Sequence, residues 1–393
     1  KADKLYEDGK YAEAIELYEK ALDKSDLAIA HHNLAIAALA AFQPGIDTPT
    51  NLAYAEKAST HFQAYLAKDP KKPKEIINLL TTVWLDSDKI DEALAYWTKE
   101  LEKDPKSLEA VGKLSSIQRM AGNYDEALRL QRRALDIRKR VFGPDHPKVG
   151  EMYNNIATTL RTLDRLEESR DHYYEALRIK EAALGPNAVD LTIPLGNLAS
   201  VLRKLEAYDE AEKLYQRALA IRVEAFGESH QKVGNTLNNL AMLHYVQGHH
   251  AQAAQLYERA TTTWAAALGD THPLVAHGKT GWGKSLLGLQ HFDDALVLLE
   301  DALARREANE RVPAKHLADT RFTLARGLWE SGGDRARARE VEGRRPRGVA
   351  RRRRRTARRR RVEVARRLRA ARALPGLRHG SRAGRQVLAL PQH

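Results

Sequence analysis

The sequence has no cysteine among its 393 residues. This absence excludes a disulfide framework, a thiolate zinc site and a cysteine nucleophile. The sequence also lacks a run of about 18 apolar residues, and its first residues, KADKLYEDGKYAEA, have no apolar signal-peptide centre. We therefore expect no membrane span and no export, which places the protein in the cytoplasm.

Lysine is missing from residues 335–393, where 22 arginines and 3 glutamates give a charge of +19. Residues 1–334 have a charge of −6, so the overall charge of +13 is a property of this tail alone. The rest of the chain is mildly acidic and long enough to bury a substantial core.

Signatures of catalysis are also missing, since the sequence contains neither H-E-x-x-H nor G-x-S-x-G. Residues 278–285 (GKTGWGKS) do fit the phosphate-loop pattern G-x-x-x-x-G-K-[ST]. That loop works between a strand and a helix, where its backbone N–H groups wrap the phosphates. Here a repeat linker precedes the pattern. We predict that these residues are helical, with glycines that weaken the helix by about 1 kcal/mol each relative to alanine. We expect no enzymatic activity, no cofactor and no metal.

Internal repetition is the strongest feature that the sequence does contain. Four linker strings start 42 residues apart: FGPDHPKV at 142, LGPNAVDL at 184, FGESHQKV at 226 and LGDTHPLV at 268. Alanines keep the same period, as in the series Ala134, Ala176, Ala218, Ala260 and Ala302. Upstream, IDEALAYWTKEL and YDEALRLQRRAL lie 34 residues apart. Such periods are typical of repeat architectures.

This pattern resembles the tetratricopeptide repeat (TPR), a helix–turn–helix unit with small residues where its helices cross. The 42-residue units with their glycine-containing linkers resemble those of kinesin light chains and of bacterial TPR signalling proteins. The resemblance implies an all-α fold, an α-solenoid of stacked helix pairs forming a right-handed superhelix. A disordered arginine-rich tail follows it.

Four segments are predicted along the chain. Residues 1–107 hold TPRs of the 34-residue type, starting in mid-repeat and with a loop insert at 41–50. Residues 108–314 hold 42-residue TPRs, residues 315–340 an incomplete terminal TPR, and residues 341–393 the arginine-rich tail.

The tail has three open interpretations. Arginines pair bidentately with phosphate, so it can be a genuine arm that binds nucleic acid or another polyanion. It can instead be the product of a reading-frame shift, because alanine codons of a GC-rich gene become arginine codons one base out of frame. The third interpretation is a neutral disordered tail.

The linkers predict helix ends. Gly143, Gly185, Gly227 and Gly269 fit a left-handed C-cap, and Asp145 or His146 can cap the following helix. We expect the linker histidines to be structural. The adjacent pairs His31-His32 and His249-His250 point about 100° apart on a helix and are poor metal sites.

One face of the first helices is predicted to bind peptides. In TPR proteins the matching asparagines hold the backbone of an extended peptide in a concave groove, and arginines on that face can pair with acidic groups. The predicted site consists of Asn154, Asn155, Asn197, Asn238, Asn239, Arg119, Arg161, Arg203, Lys204 and Lys284.

The sequence thus favours a non-enzymatic scaffold that binds a protein or peptide, predicted to be acidic. One alternative is the regulatory TPR region of a larger signalling enzyme, linked to a kinase or ATPase domain upstream of Lys1. A weaker alternative is binding of nucleic acid or another polyanion through the tail. No membrane partner is expected.

Overall fold

The structure, a computed structural model, describes residues 1–68, 73–309, 312–333 and 335–343. These residues form eighteen α-helices and one short 3-10 turn, and none of them lies in a strand. They divide into two compact units, the first comprising Lys1–Gly227 and the second beginning at Glu228.

The first unit contains twelve helices, which are α1 (Ala2–Glu7), α2 (Tyr11–Leu22), α3 (Ala28–Ala41), α4 (Pro49–Leu66), α5 (Pro73–Asp86), α6 (Ile90–Lys103), α7 (Leu108–Met120), α8 (Tyr124–Phe142), α9 (Pro147–Thr162), α10 (Leu166–Leu184), α11 (Thr192–Lys204) and α12 (Tyr208–Phe226). The second unit contains six, which are α13 (Gln231–Val246), α14 (His250–Leu268), α15 (Pro273–Gly288), α16 (Phe292–Glu307), α17 (Ala314–Glu330) and α18 (Arg335–Gly343).

Contacts in each unit run between neighbours along the chain. Every helix packs against the next one in its unit. The first helices of consecutive repeats also touch, as α9 and α11 do in the first unit and α15 and α17 in the second. Stacking of helix pairs on their nearest neighbours is the organisation of an α-solenoid, which confirms the predicted fold class.

Small residues mark the points where helices cross, as predicted. Ala157 of α9 and Ala199 of α11 are fully buried, and so is Ala176 of α10. An alanine at these points lets the helix axes approach closely, while Ile156 and Leu160 fill the space beside them. Each fully buried Leu or Ile side chain contributes roughly 1.5–3 kcal/mol.

The linker glycines end their helices in a different way from the left-handed cap predicted for them. Gly143 has φ 89° and ψ 158°, and Gly185, Gly227 and Gly269 are alike. The positive φ was predicted, but the extended ψ puts these residues in a region of backbone space that is accessible almost only to glycine. The linkers therefore need glycine for its backbone freedom.

The linker histidines cap the helices that follow. Nδ1 of His146 accepts a hydrogen bond from the backbone N–H of Lys148 at 3.2 Å. His230 and His272 cap α13 and α15 in the same way. Where Ala188 replaces this histidine, a 3-10 turn (Val189–Leu191) precedes α11 instead. The capping histidine thus explains the recurrence of this residue type in the linkers.

Residues 278–285 lie inside α15, as predicted from their register. The glycines, however, are there because neighbouring helices come too close for a larger residue. A Cβ atom on Gly283 would lie 2.7 Å from Cγ of Leu299, and one on Gly281 would lie 2.6 Å from Cζ of Tyr257. Alanine at these positions would not increase the stability of the helix, because its methyl group does not fit.

The arginine-rich tail predicted for residues 341–393 lies outside the described residues from residue 344 onward. In the part of the chain that is described, no helix combines the length and the apolar character needed to cross a bilayer.

Candidate peptide-binding face

The first unit places three of the predicted arginines in one line. Arg119, Arg161 and Arg203 occupy the same position in α7, α9 and α11, 42 residues apart, so each lies one repeat beyond the last. Arg119 is exposed, and the other two are half-buried. We call this line, together with the asparagines of the same helices, the first-helix face.

Two tyrosines of the second helices, Tyr173 and Tyr215, are buried and have raised pKa values. Burial raises the pKa of Tyr173, while a hydrogen bond with Thr158 and the positive charges of Arg161 and Arg119 act in the opposite direction. Burial likewise raises the pKa of Tyr215, against the effects of Arg203, Ser200 and Arg161. Because burial is the largest effect on each pKa, both phenols stay protonated at neutral pH.

The Tyr173 hydroxyl of α10 contacts a first helix. The Thr158 hydroxyl donates to the backbone carbonyl of Asn154 at 2.9 Å, and its oxygen lies 2.9 Å from the Tyr173 oxygen. This contact joins α10 to α9.

None of the three arginines forms an ion pair within the described chain, whereas arginines elsewhere in this unit do. Arg178 contacts Asp145 and Glu175, and Arg217 contacts Glu181. The charge of the first-helix face is therefore not neutralised by carboxylates of the described chain. Nε of Arg161 is buried and has no hydrogen-bond partner among the described residues.

The asparagines of the first unit differ in exposure. Asn155 is exposed on α9, and Asn197 is half-buried on α11. Oδ1 of Asn154 is buried without a hydrogen-bond partner among the described residues. Lys204, also predicted here, is held by Asp164 at 3.1 Å.

The corresponding face of the second unit lacks the arginines. Tyr245 and Leu287 occupy their position in α13 and α15. Asn239 is half-buried, and Oδ1 of Asn238 is buried and unpartnered in the described structure, like that of Asn154. Nζ of Lys284 lies 2.7 and 2.8 Å from the two carboxylate oxygens of Asp319. Lys284 is predicted to face a ligand, and in the structure it forms an ion pair between α15 and α17.

The histidines of the two adjacent pairs have separate partners. Nδ1 of His31 lies 2.8 Å from Nδ1 of His61, and the ring of His32 packs near Tyr65. The rings of His249 and His250 pack near His244 and Tyr245, respectively. No group of three or more His, Asp or Glu side chains in the described residues is arranged to hold a metal ion.

Tyr173 and Tyr215 were not among the predicted site residues. Their spacing of 42 residues, continued by Tyr257, is visible in the sequence. That spacing alone reads as core packing, because tyrosine at a helix crossing fills space.

Two segments of the chain match a known family. Residues 107–182 and 190–264 match the family described as tetratricopeptide repeat. BtubC (BKLC) from P. vanneervenii is 21% identical, with a TM-score of 0.49 over 57% of this chain and 92% of that one. A Podosopora anserina chain of nearly identical TPR-like repeats, described as of kinesin light chain type, is 18% identical, with a TM-score of 0.47 over 53% and 99%. No curated protein matches the sequence.

Proposed function

We propose that this chain, in which residues 107–182 and 190–264 are tetratricopeptide repeats, is a non-enzymatic scaffold that binds extended acidic segments of other proteins. Repeats of this family generally mediate protein–protein interaction. The observation that carries the proposal is the line formed by Arg119, Arg161 and Arg203, which has no carboxylate partner within the described residues.

The asparagines supply the second half of the recognition. Asn155 and Asn197 offer both donor and acceptor groups, so they can bind a peptide backbone whatever its side chains. Neutral hydrogen bonds contribute roughly 0.5–1.5 kcal/mol each and charged ones roughly 1.5–3 kcal/mol. Two neutral and three charged hydrogen bonds are of the order needed for micromolar affinity, about 8 kcal/mol.

Titration of the full chain with acidic and neutral extended peptides tests this function. Arg161→Glu should weaken acidic peptides at least tenfold and leave neutral ones nearly unchanged, because it places like charges together. Arg178→Glu is the matched control: it changes the charge equally, but on an exposed, ion-paired arginine of α10. Both variants keep the arginine-rich tail, so their difference isolates the first-helix face.

Asn155→Ala should weaken every peptide alike, by about fivefold, because the backbone is common to all. The proposal fails if Arg161→Glu and Arg178→Glu reduce acidic binding equally, or if neither changes it.

A further inference from the structure

We propose that the first unit has a second binding site, a cavity beside α10 that binds an arginine side chain of a protein partner. The cavity has a volume of about 520 Å³ and is formed by α10, the end of α11 and the beginning of α12. No residue of the first-helix face lines it. Binding in this cavity is therefore independent of the proposed function.

The residues that line the cavity carry more negative than positive charge. The guanidinium of Arg170 pairs with Asp171 at 2.8 Å, so these two charges neutralise each other. Glu167 and Glu210 also line the cavity, and neither forms an ion pair within the described residues. The Tyr174 hydroxyl donates a hydrogen bond to Oε1 of Glu210, and Oε2 of this glutamate has no hydrogen-bond partner in the described structure.

The preceding repeat shows which group binds a carboxylate at this position. Glu168 lies 42 residues before Glu210 and is its equivalent. Nε and Nη2 of Arg165 each donate a hydrogen bond to Glu168 at 2.6 Å, one to each carboxylate oxygen. Nη2 of Arg132 lies 3.4 Å from Oε2 of the same carboxylate. Two arginine side chains of the chain itself thus bind this glutamate.

Both arginines are replaced in the repeat that contains the cavity. Ala207 occupies the position of Arg165, and Tyr174 occupies that of Arg132, each 42 residues further on. Burial and the hydrogen bond with Glu210 raise the pKa of Tyr174 to about 12, so its phenol carries no charge at neutral pH. The carboxylate is therefore kept while the two cations that bind its equivalent are absent, and the small side chain of Ala207 leaves space for a guanidinium from outside.

The remaining wall of the cavity is apolar. Leu202, Leu205 and Ala207 line it. The methylene groups of an arginine can lie against this wall while its planar guanidinium forms two parallel hydrogen bonds with a carboxylate. The volume lies within the range of ligand pockets, about 300–1,000 Å³. Because Glu167 and Glu210 are exposed, a single arginine adds modest affinity, and the cavity acts as one part of a larger interface.

The probe for this site is Nα-acetylarginine N-methylamide, titrated into the full chain while the methyl NMR signals of Leu202 and Leu205 are followed. Both signals should shift in a saturable manner. The citrulline analogue has nearly the same shape and no charge, and it should bind about fivefold more weakly or not at all. Equal binding of the lysine analogue would indicate a site for any cation and would overturn the assignment of arginine.

Two variants test the residues that are expected to bind the probe. Glu210→Gln should weaken the arginine probe about fivefold, because it removes the charge and keeps the shape. Ala207→Arg should weaken it as strongly, because its own guanidinium then binds the carboxylate as in the preceding repeat. Asp209→Asn is the matched control and should bind like the parent, since Asp209 is exposed on the same helix and does not line the cavity.

The outcomes separate this site from the proposed function. Equal losses in Asp209→Asn and Glu210→Gln would indicate general charge attraction and would overturn the site, as would methyl signals that the arginine probe does not shift. Signals that shift with chain concentration alone would identify a second copy as the occupant and would overturn it too. Acidic peptides should bind Ala207→Arg like the parent, and Arg161→Glu should leave the arginine probe unaffected, so each proposal can fail without the other.

Discussion

At the scale of single residues, the glycines of α15 show two opposing effects of replacing glycine with alanine. Alanine favours the helical backbone, but its methyl group needs space. Glycine costs about 1 kcal/mol in a helix relative to alanine, so an alanine should stabilise wherever it fits. It does not fit at Gly281, whose missing Cβ position lies against the buried ring of Tyr257. It does fit at Gly112 of α7, where no atom lies within 4 Å of that position.

We therefore expect opposite results from the same substitution. Gly281→Ala should destabilise the protein by about 1–3 kcal/mol, because the methyl group overpacks the contact with α14. Gly112→Ala should stabilise it by about 0.5–1 kcal/mol. Thermal and urea unfolding, followed by circular dichroism, measure both. Stabilisation by Gly281→Ala would contradict the close approach of these helices.

A second prediction at this scale concerns His277. Burial lowers its pKa to about 4, assisted by Arg306, His316 and Lys284 and opposed by Asp319. Because the unfolded chain binds this proton near pH 6.5 and the folded chain does not, stability should fall as the pH drops through that range. The loss between pH 7 and 5 is about 2 kcal/mol.

Unfolding of the parent and of His277→Gln at several pH values checks this expectation. The variant cannot charge, so its stability should depend less on pH between 7 and 5. His146→Gln is the control, because this histidine lies at a surface linker. Equal pH dependence in the parent and His277→Gln would show that another group is responsible.

At the scale of elements, α15 illustrates how a motif can match a sequence pattern and lack its chemistry. In a phosphate loop the lysine side chain and the backbone N–H groups face the nucleotide. In α15 the backbone is helical, and Lys284 is bound to Asp319. We expect ATP with magnesium to leave the melting temperature of the full chain unchanged.

Lys284→Ala should lower stability slightly, by up to about 1 kcal/mol, because it breaks a partly exposed ion pair between α15 and α17. Asp319→Ala should have a similar effect, which nucleotide binding would not produce. Calorimetric titration with ATP tests whether Lys284 binds nucleotide. Saturable binding that disappears in Lys284→Ala would contradict its assignment as an ion-pair partner of Asp319 within a helix.

Much of each element could be predicted from the sequence. The period of 42 residues predicts the helix pairs and the buried alanines, and His146 is one of the two caps predicted for the following helix. The extended ψ of Gly143 and the 3-10 turn at Val189–Leu191 could not be predicted, because they depend on how the linker meets the next helix. The pattern of residue types does not contain that geometry.

The candidate site was predictable only in part, for a related reason. Residues in one register share a face, so the line of Arg119, Arg161 and Arg203 could be predicted. What lies opposite a side chain depends on the neighbouring helix, which periodicity does not specify. The sequence therefore does not show that Tyr173 contacts Thr158, or that Asp319, 35 residues away, pairs with Lys284.

At the scale of the whole molecule, contacts in each unit connect helices close in sequence. A solenoid of this kind distributes its stability over nearest neighbours, so damage stays local. Gly281→Ala should therefore speed amide hydrogen exchange in α14, α15 and α16 while leaving α1 to α8 unchanged. Exchange followed by mass spectrometry on the full chain tests this. Uniform acceleration along the chain would instead indicate a single cooperative unit.

The glycines of α15 also bear on the order in which the chain folds. A segment with four glycines in sixteen residues has little tendency to become helical alone, since each glycine retains much freedom in the unfolded chain. Helices α14 and α16 contain no glycine and can form turns earlier. Helix α15 thus depends on its contacts with α14 and α16 to become helical, and its formation completes this part of the stack.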